Sequence, residues 1–217
     1  LFDNKSSFFR LDMSEYMEKH SVSKLIGSPP GYIGYESAGI LTEAIRRKPY
    51  QVILLDEIEK AHSDVFNLLL QVFDDGRLTD SHGRVINFKN SIIIMTSNIG
   101  AEFINFSEEQ KDKIEVFTQD KILDKVKKTF KPEFVNRIDE IIIFNRITKK
   151  EIKKIIKIQI SHLEKLLKNK KINIKINEDA EEWLINEGYS ASYGARPLKR
   201  VIQSNIPDKI AFMILNG

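Results

Sequence analysis

Two adjacent acids close an otherwise apolar run, Gln51-Val52-Ile53-Leu54-Leu55-Asp56-Glu57. Such a run reads as a buried strand, and its last residues then stand at the carboxyl edge of a sheet, where open α/β sheets bind ligands. Magnesium prefers oxygen ligands and keeps several waters. Asp56 can therefore hold it through its hydration shell while Glu57 orients or deprotonates an attacking water. The plainer alternative is an acid pair that ends a strand and caps the next helix. Against it stands Asn98, which follows a second apolar run, Ser91–Ser97, and offers an uncharged amide to the same water or to a terminal phosphate.

Transfer of a phosphoryl group needs positive charge at the departing phosphate, and arginine suits this because its fork of donors matches phosphate oxygens and stays protonated. Arg137 lies in Pro132-Glu133-Phe134-Val135-Asn136-Arg137-Ile138-Asp139, and Arg196 in Gly194-Ala195-Arg196-Pro197 at the start of a helix. Alone, each has an ordinary reading: an ion pair with Asp139 or Glu140 for Arg137, a surface cation beside a tight turn for Arg196. Beside the acid pair and Asn98 they acquire a common purpose, and an arginine supplied by a neighbouring subunit implies an oligomer.

Gly27-Ser28-Pro29-Pro30-Gly31-Tyr32-Ile33-Gly34-Tyr35 is a loop, since prolines stiffen its approach and glycines open backbone angles closed to other residues. Tyr32 and Ile33 sit at its tip between Gly31 and Gly34. Tyr32 either folds back onto the surface or grips an extended polypeptide through the area of its ring.

The elements that must hold these residues are legible in outline. Four nearly continuous apolar runs, Ser7–Met13, Gln51–Asp56, Ser91–Ser97 and Glu140–Asn145, predict strands covered on both faces. Helical segments lie between them; the clearest follows Ser63 as N-cap, carries Val65, Phe66, Leu69, Leu70 and Phe73 on one stripe, and ends before Gly76. Alternating strands and helices predict a parallel α/β sheet. After Asn145 a smaller, mostly helical domain begins. Thr148 and Glu151 have capping-box spacing before a long helix, Lys171–Ile176 alternates like a short strand, Asn177 caps a helix, and Pro197 opens a last helix interrupted near Pro207.

Composition narrows the function classes. A net charge of +3 from 34 basic and 31 acidic residues announces neither a nucleic-acid nor a membrane surface. The lysine-rich stretches 111–131 and 149–175 interleave with apolar residues at helical spacing and read as solvated helix faces. No apolar run approaches the ~20 residues of a spanning helix. With no cysteine and four scattered histidines, neither a disulfide nor a histidine-built metal site is expected, and no compartment follows.

An ordered series of motifs closely resembles the Clp family of AAA+ unfoldases, in particular the second ATPase ring of ClpB-type disaggregases and ClpC-type protease partners. It runs through Leu11-Asp12-Met13-Ser14-Glu15-Tyr16, Gly31-Tyr32-Ile33-Gly34, Leu55-Asp56-Glu57-Ile58-Glu59-Lys60-Ala61-His62, Asp75-Gly76-Arg77-Leu78-Thr79-Asp80, Met95-Thr96-Ser97-Asn98, Phe134-Val135-Asn136-Arg137-Ile138-Asp139 and Tyr193-Gly194-Ala195-Arg196-Pro197-Leu198. The resemblance implies a P-loop-type α/β subdomain over 1–146 and a small, mainly helical α+β lid over 147–217. It makes Asp56 and Glu57 the Walker B magnesium and catalytic acids, Asn98 sensor 1, Arg137 the finger and Arg196 sensor 2. Tyr32 and Ile33 become a substrate-gripping pore loop, and Gly76–Val85 a second, lower one. ATP and Mg2+ are the implied cofactors. The implied partners are five further copies in a homohexameric ring, unfolded or aggregated polypeptide, and co-chaperones; neither nucleic acid nor membrane insertion is implied.

The family's glycine-rich Walker A loop would precede Leu1, and no Gly-x-x-x-x-Gly-Lys occurs in these residues. This stretch alone is therefore expected to bind ATP poorly and not to turn it over. The strand leading into that loop would lie between the neighbours of Ser91–Ser97 and Glu140–Asn145; without it, unpaired ladder groups invite closure, swapping or dimerisation. Family members also continue past Gly217 into further strands of the lid. Ala101–Thr118 offers Ile114-Glu115-Val116-Phe117 without the Gly-Phe tripeptide of protease-coupled members, which points to a disaggregase over a protease partner. A non-catalytic polypeptide-binding or ring-assembly module is the competing reading.

Overall fold

The computed structural model describes residues 7–31, 38–104, 116–145, 147–168, 172–190 and 194–216. The described residues up to Ile143 form one compact unit and those from Phe144 a second.

The first unit is built on three parallel strands. β1 (Phe8–Asp12) leads through α1 (Lys19–Ile26) and α2 (Ile40–Arg47) to β2 (Val52–Asp56). From there α3 (Ser63–Asp75) and a small antiparallel hairpin of β3 (Arg77–Thr79) and β4 (Val85–Asn87) lead to β5 (Ile92–Met95). Within the sheet the order is β1-β2-β5, so β2 is central. Its apolar side chains follow from that place: Ile53 and Leu55 are buried between neighbouring layers, joined in the core by Met13, Leu25, Ile45, Val65 and Phe134. The register sets Asp12 opposite Asp56, so two acids leave the same edge side by side. The unit closes with α4 (Val116–Thr129) and the short α5 (Pro132–Val135), whose Phe134 packs edge-on against Phe66 with ring centres 5.0 Å apart.

α3 ends as expected at Gly76, whose φ of 64° is the left-handed cap conformation that glycine adopts without penalty. Its start differs: the N-cap is His62, whose Nδ1 accepts a bond from the Asp64 N–H at 3.2 Å, and Ser63 is already helical.

Two expected strands do not form. Residues 140–145 carry no strand, although Ile141, Ile142 and Phe144 have strand composition. A strand exists only through a ladder, and no strand among the described residues pairs with these. Residues 172–176 likewise lack strand structure. The expectation of cover on both faces also fails for β5, whose Ile92 and Ile94 are exposed.

The second unit packs α6 (Lys149–Leu167), α7 (Glu178–Gly188), α8 (Arg196–Asn205) and α9 (Pro207–Asn216). Its core joins Ile152 and Ile156 of α6 to Leu184 and Ile185 of α7 and to Leu198 and Ile202 of α8. Sequence signals fix the ends. Thr148 and Glu151 form a reciprocal capping box, the Asn177 side chain accepts from the Ala180 N–H at 3.0 Å, and Pro197 and Pro207 stand in the first turns of α8 and α9. No described helix is long and apolar enough to cross a membrane.

Candidate functional site

β2 ends at Asp56, and the chain turns at once. Glu57 adopts φ 55° and ψ 50°, the left-handed region, and is alone among described non-glycine residues in having a positive φ. A 3-10 turn, Ile58–Lys60, follows. That region is costly for a residue with a Cβ and persists where the surroundings over-determine it, as they commonly do at functional sites. Here the surroundings are the end of β5. The Ile58 N–H donates to the Thr96 carbonyl at 3.0 Å, and the Glu57 N–H to the Thr96 hydroxyl at 3.2 Å.

The Asp56 carboxylate is held by two side chains. The Thr96 hydroxyl donates to Oδ1, and the Arg10 guanidinium of β1 pairs with Oδ2. These bonds, that from Thr96 foremost, hold the Asp56 carboxyl below its ordinary value of 3.8. Asp56 is therefore ionised at neutral pH, as a cation ligand must be. Beside it the Asp12 carboxylate accepts from the Ser14 N–H at 3.0 Å and the Ser14 hydroxyl at 2.5 Å, and these bonds push its carboxyl down as well. The Glu57 carboxylate is paired with Lys60, three residues on in the same turn, and this partner raises the lysine's pKa.

Asn98 lies three residues beyond the end of β5, the strand neighbouring β2, at the same sheet edge. Its N–H donates to the Glu59 carboxylate at 3.2 Å, so the turn after β2 also fixes the chain that carries the amide. The parallel pairing of β2 and β5 thus brings Asp56, Glu57 and the Asn98 backbone to one sheet edge.

Arg137 follows α5, and its Nε binds Asp74 Oδ1 at 2.7 Å, at the C-terminal end of α3. That partner replaces Asp139 and Glu140, the local acids the sequence suggested. Arg196 belongs to the second unit, where it is exposed as the first residue of α8. Tyr32 and Ile33 lie outside the described residues, which resume at Ala38.

The donor set bears on the implied cofactors. Asp56, Asp12 and Thr96 offer hard oxygen atoms at one sheet edge, and no described group of three or more His, Cys, Asp or Glu could form a dedicated metal cage. An ion held by one or two carboxylates that draws its remaining ligands from water and phosphate suits magnesium, so the residues present fit it.

Sequence reasoning missed Thr96, Arg10, Lys60, Glu59 and Asp74. For Thr96 a signal existed: a hydroxyl directly after the apolar Ile92–Met95. Arg10 and Asp74 became visible only once the register and the helix packing joined residues far apart in sequence.

Residues 1–141 match the family model described as AAA domain (Cdc48 subfamily), and residues 147–217 match the C-terminal, D2-small domain, of ClpB protein. The chain is 57% identical over 217 residues to the chaperone protein ClpB of Agrobacterium fabrum and 54% identical to that of Rickettsia conorii, covering all of this chain and 25% of each relative. It thus spans about a quarter of the length of the curated relatives it matches. Among solved structures, a closed-state cryo-EM reconstruction of Hsp104 with ATPγS and FITC casein superposes with a TM-score of 0.88 at 44% identity, over 100% of this chain and 37% of that one. An extended-conformation complex of Saccharomyces cerevisiae Hsp104 with casein gives 0.87 at 44% identity, over 99% and 37%.

Proposed function

The chain belongs to the AAA domain family, Cdc48 subfamily, and we propose that it is the part of an ATP-driven protein disaggregase that carries the hydrolytic acids of one motor domain. The observation that carries this reading is the β2 terminus, where an ionised Asp56 and a Glu57 in the left-handed conformation are tied to the end of β5. Magnesium, when bound with ATP, screens the phosphate charge and polarises the bond to be broken. The chain's own residues do the rest. Asp56 takes the ion through its water shell, Glu57 orients and deprotonates the attacking water, and Asn98 holds that water or the terminal phosphate. Arg137 reaches the nucleotide of a neighbouring subunit in a homohexameric ring, and Arg196 reports nucleotide state from the second unit.

Glu57 must exchange Lys60 for water before it can act as a base, and Arg137 must exchange Asp74 for phosphate. Both contacts are exposed ion pairs of small net strength, so binding energy from nucleotide suffices to replace them.

Polypeptide is the proposed substrate, gripped by Tyr32 and Ile33 and, lower in the pore, by the β3–β4 hairpin. The casein complexes of the related Hsp104 favour this over a nucleic-acid substrate. In the full-length protein, Tyr32→Ala should abolish threading of an unfolded, fluorescently labelled polypeptide while ATP turnover persists. If threading also persists, the loop does not grip, and the module serves ring assembly or static binding.

A further inference from the structure

We infer that Thr96 is a positioning residue of the hydrolytic site, its hydroxyl fixing the Asp56 carboxylate and the Glu57 backbone against one another. The inference rests on the reading of Asp56 and Glu57 given above.

Thr96 bonds to four consecutive residues. Its N–H donates to the Leu55 carbonyl at 3.0 Å, continuing the ladder between β2 and β5. Its hydroxyl donates to Asp56 Oδ1 and accepts from the Glu57 N–H at 3.2 Å. Its carbonyl accepts from the Ile58 N–H at 3.0 Å. Backbone bonds at Leu55 and Ile58 are open to any residue but proline, whereas the two in the middle need this side chain. A hydroxyl can donate with its hydrogen and accept with its lone pairs at once; an ionised carboxylate only accepts, an ammonium only donates, and an aliphatic group does neither. Serine and threonine therefore meet the requirement with one short side chain.

The place where the hydroxyl acts is the place where the backbone departs from the strand. Continued β structure would send Asp56 and Glu57 to opposite faces of the sheet. Glu57 leaves that alternation through its left-handed conformation, and the hydroxyl holds Asp56 and the Glu57 N–H where the chain enters the break, while the Thr96 carbonyl holds Ile58 beyond it. A small displacement of either carboxylate separates the cation from the attacking water, and supporting partners of this kind typically change activity when removed.

The test uses the full-length assembled protein with T96V, T96S and E57Q, counting hydrolysis above the E57Q baseline. Valine keeps the shape and removes the hydroxyl; serine keeps the hydroxyl and removes the methyl. The expected result is a fall in kcat of about 10- to 100-fold for T96V, with nucleotide affinity and assembly retained, and recovery of most of the rate in T96S. Wild-type hydrolysis by T96V beside an inactive E57Q overturns the inference while leaving the motor reading intact. So does a T96S as slow as T96V, or a T96V whose affinity and assembly fall with its rate, since Thr96 would then act through packing. Wild-type hydrolysis by E57Q overturns the motor reading itself.

Discussion

Arg10 and Asp56 pose the sharpest question at the scale of single residues, because the guanidinium occupies an oxygen that a cation would otherwise approach. Both side chains are solvent-accessible, so the pair is screened and weak, on the order of 0.2–1 kcal/mol. Arg10→Ala should therefore lower the Mg2+ concentration needed for half-maximal ATP hydrolysis by up to about fivefold, measured by titrating the metal at saturating ATP. A higher requirement would mean that Arg10 aims the carboxylate at the ion instead of competing with it. The protonation sign is clear: Asp56 has a depressed pKa, so its charge is present in full at neutral pH and is lost only on acidification below its ordinary 3.8. The acids themselves could be read from sequence, since an apolar run ending in Asp-Glu names its own edge. Their partners could not. Thr96 stands 40 positions from Asp56 and Arg10 stands 46 away, and only a strand register converts those separations into contacts.

Among the elements, the junction between α1 and α2 has the least room. A Cβ on Gly39 would lie 2.3 Å from the Ile26 carbonyl carbon and 2.4 Å from the Leu25 oxygen, both backbone atoms that cannot swing aside. Gly39 has an ordinary φ of −64°, so the demand is steric, set by close passage of the two helices and by the bridge from Gly27 to Ala38. Gly39→Ala should destabilise the folded protein by about 1–3 kcal/mol, read as a lowered midpoint in denaturant titration; an unchanged midpoint would show that the helix ends separate freely. Element prediction succeeded where the cause is local. The Thr148 and Asn177 caps, the glycine stop at Gly76 and the helix break near Pro207 each depend on a few neighbouring residues. It failed where the cause is remote. Residues 140–145 have strand composition and no ladder, the three-residue strands of the hairpin are too short to show a period, and His62 caps α3 through a ring nitrogen outside the usual set of cap oxygens.

For the whole molecule, the proposed machinery is divided. Asp56, Glu57, Asn98 and Arg137 belong to the first unit and Arg196 to the second. Arg137 adds a third party. Its partner Asp74 lies two residues before Gly76, where α3 gives way to the hairpin, so the proposed finger and the proposed lower substrate loop share one helix end. The division into a sheet-based unit and a helical one was legible in the change of texture after Asn145, whereas this shared anchorage is a property of packing. Everything turns on Glu57 as the base that activates water. The most direct measurement is hydrolysis of ATP pre-bound to the full-length assembled protein carrying Glu57→Gln. Nucleotide should remain bound and uncleaved at this site through many wild-type turnover times; cleavage there at the wild-type rate would contradict the account.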